Sequence, residues 1–193
     1  MKFRLPIVPT LLVAAAVAAM ISLGIWQLHR ADWKADLLAR YGAALANPDP
    51  VAWPRDPAEY EDVLYRRSSL TCDNVLARDA IAGRSDTGEP GWAQTARCAL
   101  SDGGEATVAL GWSRGLDMPE WQGGAVTGFI APAGHEVRLV AAPAQAGLQQ
   151  LARPDPNELP NNHMSYAVQW FFFAATAVVI YLLALRKRRR NAS

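Results

Sequence analysis

Two runs without a single charged residue frame this chain, and they constrain its fold more than anything between them. The first, Ile7 to Leu28, reads IVPTLLVAAAVAAMISLGIWQL; the second, Met164 to Leu185, reads MSYAVQWFFFAATAVVIYLLAL, and each is 22 residues long. At about 1.5 Å per residue a helix of that length reaches about 33 Å, enough to cross a hydrocarbon core of about 30 Å. Both runs are apolar on every face, and hiding two such helices inside a soluble protein would need far more chain than 193 residues supply. Two transmembrane helices are therefore expected. The competing reading of the first run is a cleaved signal peptide. The run is too long for an ordinary h-region, ends in Trp26-Gln27-Leu28-His29-Arg30 and has no small-x-small site after it, so an uncleaved anchor fits better.

Charge orients the two spans. Lys2 and Arg4 precede the first, and Arg186, Lys187, Arg188, Arg189 and Arg190 follow the second at once. All 18 acidic residues lie between the spans with 12 basic ones, so that region carries a net charge of −6. Lysine and arginine beside membrane ends mark the cytoplasmic side. Both termini are thus expected inside and the middle outside, on the periplasmic side of a bacterial inner membrane. The terminal basic run reads as a lipid-headgroup anchor rather than a nucleic-acid patch, so the bilayer is a partner and nucleic acid is not.

The expected organisation is a membrane protein whose two transmembrane helices flank a small antiparallel β-rich extracytoplasmic domain. In chain order it has a cytoplasmic N-terminus over 1–6, a first transmembrane helix over 7–28 and an amphipathic helical stalk over 29–46. A proline-rich linker over 47–63, the β-rich outer domain over 64–142 and a return linker over 143–162 follow. The second transmembrane helix occupies 163–185 and a basic cytoplasmic tail 186–193. Trp33, Leu37, Leu38 and Tyr41 make the stripe of the stalk. Short alternating stretches such as EATVALGW and HEVRLVAA, bounded by SDGG and APAG, carry the β reading, as a sheet or partial barrel. Cys72 and Cys98 each sit within a predicted strand. They can form a structural disulfide in an oxidising compartment, remain two buried thiols, or hold a metal or redox site; with no CxxC and no histidine cluster, the last has little support.

Enzyme signatures are missing: there is no phosphate-binding loop, no HExxH and no GxSxG. Chemistry narrows to three histidines. His135 reads as a turn residue, whereas His29 and His163 both stand at the outer membrane edge. Imidazole is a common haem ligand, and its second nitrogen is normally held by a hydrogen bond, for which Asn161, Asn162 or a backbone carbonyl is at hand. Tyr166, Trp170 and Phe171 to Phe173 can line one side of a flat apolar macrocycle. Gln169 and Gln27, strongly polar residues within the spans, are expected to face the other helix or a ligand. Against this stands the plain reading of the same residues as a helix cap and an interfacial aromatic belt, and of the small residues leading to Gly24 and of Ala174, Ala175 and Ala177 as packing.

Two stretches, LGIWQLHRADWK at 23–34 and LPNNHMSYAVQWFFFA at 159–174, resemble the terminal signatures of the surfeit-locus-one family of cytochrome c oxidase assembly proteins. GWAQTARCALSDGGEATVALGWSRG at 91–115 is similar to the central stretch of that family. Gly24, Trp26, Gln27, Arg30 and Lys34 match the first signature; Pro160, Asn161, Asn162, His163, Tyr166, Ala167, Gln169 and Trp170 match the second. The resemblance implies a two-span inner-membrane chaperone, not an enzyme, that assists delivery of haem a to the oxidase large subunit, together with other assembly factors and the haem a synthase. It implies His163 as the iron ligand, with Gln169, Trp170, Tyr166, Asn162, Gln27, Arg30 and His29 about the cofactor. The alternative is a haem-free membrane-anchored scaffold that clamps an assembly intermediate. One departure stands out: Ala109-Leu110-Gly111-Trp112-Ser113 lacks the basic residue that the family carries before the glycine, and Arg114 or Arg30 is the nearest replacement.

Overall fold

A computed structural model describes residues 6–158 and 161–191. Lys2, Arg4 and Pro160, which bear on the orientation and on the second signature, lie outside the described residues, as do the last two positions of the basic tail. The chain divides into two compact units, one made by residues 1–37 with 159–193 and the other by residues 38–158.

The first unit holds the final helix and most of the first one, whose residues 38–46 belong to the second unit. Helix α1 runs unbroken from Ile7 to Ala46, beyond the charge-free run, and stops where Asn47 and Pro48 remove the means to continue it. The final helix, α3, runs from His163 to Arg190 and ends in a turn containing Lys187 and Arg188 to Arg190, where cations suit the negative end of the helix dipole. Both are long and apolar enough to cross a membrane. Between Thr10 and Ala31 the less exposed positions of α1 include Thr10, Val13, Val17, Met20, Gly24, Gln27 and Ala31, a three-and-four spacing that draws one stripe. On α3 they are His163, Ala167, Trp170, Phe171, Ala174, Ala177, Tyr181 and Leu185. The stripes meet antiparallel: Thr10 pairs its hydroxyl with Tyr181, and Gly24 lies under the Phe171 ring. A Cβ at Gly24 would stand 2.7 Å from Phe171 Cε1, so the close approach depends on glycine.

The second unit is a closed five-stranded barrel in the order β1-β2-β3-β5-β4. Its strands are β1 (Arg67–Arg84), β2 (Pro90–Leu100), β3 (Glu105–Ser113), β4 (Gly124–Ala133) and β5 (Glu136–Ala141). Closure rests on β1, which is long enough to serve two neighbours. Arg67 to Cys72 pair with β4, Cys72 to Arg84 pair with β2, and register shifts near Cys72 and Val75 mark the bend between the halves. The expectation of an antiparallel sheet needs correcting at one seam. The β4–β5 hairpin inserts β5 between β4 and β3, so β5 runs parallel to β3, through Thr107 opposite Arg138 and Val108 opposite Leu139.

Alternation along the strands turns Leu70, Cys72, Val108, Leu110, Val126, Ile130 and Leu139 into the barrel interior. The disulfide between Cys72 and Cys98 joins β1 to β2 inside this core. Gly128 is needed where β4 crowds β5, since a Cβ there would overlap the Val140 carbonyl oxygen. Neither flanking segment is a free linker. Val51 bridges to Ser68 beside β1, a 3-10 turn at Pro57–Glu59 leads into the short α2 (Tyr60–Val63), and Trp53, Tyr60 and Val63 pack on the core. On the return side Gln149 bridges to Trp112 and Leu151 to Ser85. Tyr65, buried and at φ 65, is held by its N–H to the Ile130 carbonyl and by the Tyr41 ring at 4.8 Å. Burial keeps its phenol from ionising easily and raises its pKa, with Tyr41, Asp155 and Glu158 adding to the effect.

Candidate functional site

His163 opens α3, and its ring is the most specific polar feature of the helix pair. Nδ1 lies 2.8 Å from Oε1 of Gln27, a residue of α1 that is 136 positions earlier in sequence. An amide oxygen only accepts, so Nδ1 must carry the proton and donate it. In the neutral ring this leaves the lone pair on Nε2, which is then the nitrogen able to ligate iron. The partner is thus Gln27 from the opposite helix, not Asn161 or Asn162, both of which are exposed. Asn162 occupies the N-cap position without a side-chain cap bond, and its backbone carbonyl receives Tyr166 N–H at 3.2 Å.

Helical spacing sorts the other residues expected about the cofactor. Tyr166, Trp170 and Phe173 follow His163 at i+3, i+7 and i+10, on one side of α3. Trp170 is half-buried and meets Phe173 edge to face with centroids 6.2 Å apart, while Tyr166 and Phe173 leave about half of their surfaces exposed (51 % and 43 %). The three aromatic rings therefore share the side of α3 that begins at the Gln27–His163 bond. Gln169, at i+3 from Tyr166 and i−4 from Phe173, lies on the same side; it is exposed and off the α1 stripe, so of the two expectations for it, the other helix or a ligand, it does not meet the first. His29 is likewise exposed, and two residues on from Gln27 it falls on the far side of α1, so the structure does not bring the two membrane-edge histidines together. Arg30 is exposed too, its guanidinium 4.0 Å from the centroid of the Trp33 ring. Thr10 and Tyr181 were not marked by sequence. Two hydroxyls in apolar runs, at opposite ends of the chain, were the available signal.

The barrel also carries a concavity. A groove of about 310 Å³ is lined by Glu89, Trp112, Ser113, Arg114 and residues 147–149. Its carboxylate, Glu89, is occupied by Arg114 at 3.0 Å, so two free carboxylates for acid-base work do not converge there. The same ion pair engages Arg114, the residue nearest the missing basic position. Among the described residues no three of His, Cys, Asp and Glu gather into a metal site, and the disulfide withdraws both cysteines from ligation. A single imidazole with a free Nε2 is consistent with an axial haem ligand, which needs no such cluster.

The model of the SURF1 family matches residues 14–175, which include Gln27, the whole barrel and His163. Among curated proteins none matches this chain.

Proposed function

The chain belongs to the SURF1 family, whose members assist assembly of cytochrome oxidase, and from that premise we propose that it carries haem a to the oxidase large subunit at the outer side of the inner membrane. The observation that supports this reading is the His163 ring, with Nδ1 engaged by Gln27 at 2.8 Å and Nε2 left as a base. Nε2 is the iron ligand. The Tyr166, Trp170 and Phe173 strip receives the apolar face of the macrocycle, and Arg30, close to one helical turn beyond Gln27, is within the region of α1 where a propionate can be met. The residues fit the cargo in kind: one neutral nitrogen donor, aromatic surface and a nearby cation.

Haem a arrives from its synthase and leaves intact, so the protein acts as a chaperone rather than a catalyst. The basic last turn of α3 supports a cytoplasmic C-terminus, which puts His163 at the opposite, periplasmic end of that helix. The barrel, stabilised by a disulfide suited to that compartment, is the part that engages the large subunit or another assembly factor.

Purification from cells that make haem a, followed by pigment extraction, tests this. Wild type should retain haem a and His163→Ala should lose most of it. Equal retention by both removes the ligand role, and haem in neither favours a scaffold that clamps an assembly intermediate without a cofactor.

A further inference from the structure

We infer that Gln27 is the positioning residue of the His163 site, fixing which ring nitrogen faces outward and moderating how firmly that nitrogen holds iron. The inference deepens the haem-carrier reading and rests on it for the iron, but its first half concerns the imidazole alone. A neutral histidine in water favours the tautomer with the proton on Nε2, which is the wrong one for ligation through Nε2. The Gln27 carboxamide oxygen at 2.8 Å reverses that preference by accepting from Nδ1–H.

The chemistry of the acceptor matters as much as its position. A carboxylate in this place would draw the Nδ1 proton towards itself and make Nε2 a stronger donor. An uncharged amide orients the ring without that push, and it can be accommodated between two apolar helices at far smaller cost than an ion. This gives a ligand that is aimed but readily exchanged, as a carrier requires. Because the two groups belong to different helices, the aim also depends on α1 and α3 staying in contact. Gly24, one turn before Gln27, permits that contact under Phe171.

The test uses the full chain in nanodiscs with ¹⁵N-labelled histidine, without haem. Nitrogen shifts distinguish the two tautomers, His163→Ala assigns the signal, and His29 and His135 act as internal controls for an undisturbed fold. His163 should carry its proton on Nδ1 in wild type, move towards Nε2–H in Gln27→Leu, and recover Nδ1–H in Gln27→Glu. Adding haem a should then show an affinity loss of about 10- to 100-fold in Gln27→Leu. Gln27→Glu should bind at least as tightly as wild type, with a lower iron midpoint potential and slower release to an apo-acceptor. A wild-type ring protonated on Nε2, or a Gln27→Leu ring unchanged from wild type, overturns the assignment whatever haem does. The expected tautomer shift with no haem binding in any variant supports Gln27 as the ring's positioning residue, while removing the carrier reading on which the iron half depends.

Discussion

The helix pair and the barrel are held by opposite means. In the barrel, order comes from within: alternating strands bury a core, β1 bends to serve two neighbours, and a disulfide ties β1 to β2 across a sequence separation of 26. In the helix pair nearly every surface is apolar, so apolarity alone says nothing about which face meets which. Register there is set by a few residues that differ from the rest, namely Gly24 under Phe171, Gln27 on His163 and Thr10 with Tyr181. The lesson is that in a membrane helix the exceptional residue carries both packing and function, whereas in the barrel the regular pattern carries the packing.

Breaking the disulfide should separate the two regions most clearly. Replacing Cys72 and Cys98 together by alanine releases a loop of that separation and should cost the barrel about 3.5 kcal/mol. A urea titration followed by near-ultraviolet circular dichroism measures the loss, and the His163 nitrogen shifts should not move. A shift at His163 would mean that the regions are less independent than their construction implies. The converse change is Gly24→Val, whose side chain meets the Phe171 ring and should cost the helix pair about 1–3 kcal/mol by overpacking. Its expected readout is a loss of the Nδ1–H preference at His163, with the barrel's urea midpoint unchanged.

A smaller effect sharpens the barrel side. Burial raises the Tyr65 pKa above its ordinary value of about 10, so the folded state holds that proton more tightly than the unfolded chain. The contribution is complete below the unfolded value and is lost as pH rises towards the folded one. Barrel stability should therefore decline above about pH 10, and Tyr65→Phe should flatten part of that decline in urea midpoints taken from pH 8 to pH 11.

The two regions also differed in how much of them could be read from sequence. Charge-free runs disclosed both helices, and the helical spacing of Trp33, Leu37, Leu38 and Tyr41 disclosed that the first continues past Leu28 as a stalk, as it does to Ala46. Alternation in EATVALGW and HEVRLVAA disclosed strands. It did not disclose that these two run parallel, since pairing partners follow from the insertion of the β4–β5 hairpin and not from any local pattern. At the candidate site His163 was conspicuous as a histidine at a membrane edge. Its partnership with Gln27 was not, because a contact between residues 136 positions apart leaves no local trace, and Asn161 and Asn162 were closer in sequence. His29 illustrates the same limit from the other side, being a polar residue at a suggestive depth that helical rotation turns away from the helix contact, while Gln169 leaves that contact and lies on the side of Tyr166, Trp170 and Phe173.

The claim that His163 is the haem contact is most directly tested by optical titration of haem a into the purified full chain in nanodiscs, comparing wild type with His163→Ala. The account predicts saturable binding in wild type at one haem per chain with the spectrum of a histidine-ligated iron, and loss of that spectrum in the variant. Superimposable titrations of the two proteins would contradict it.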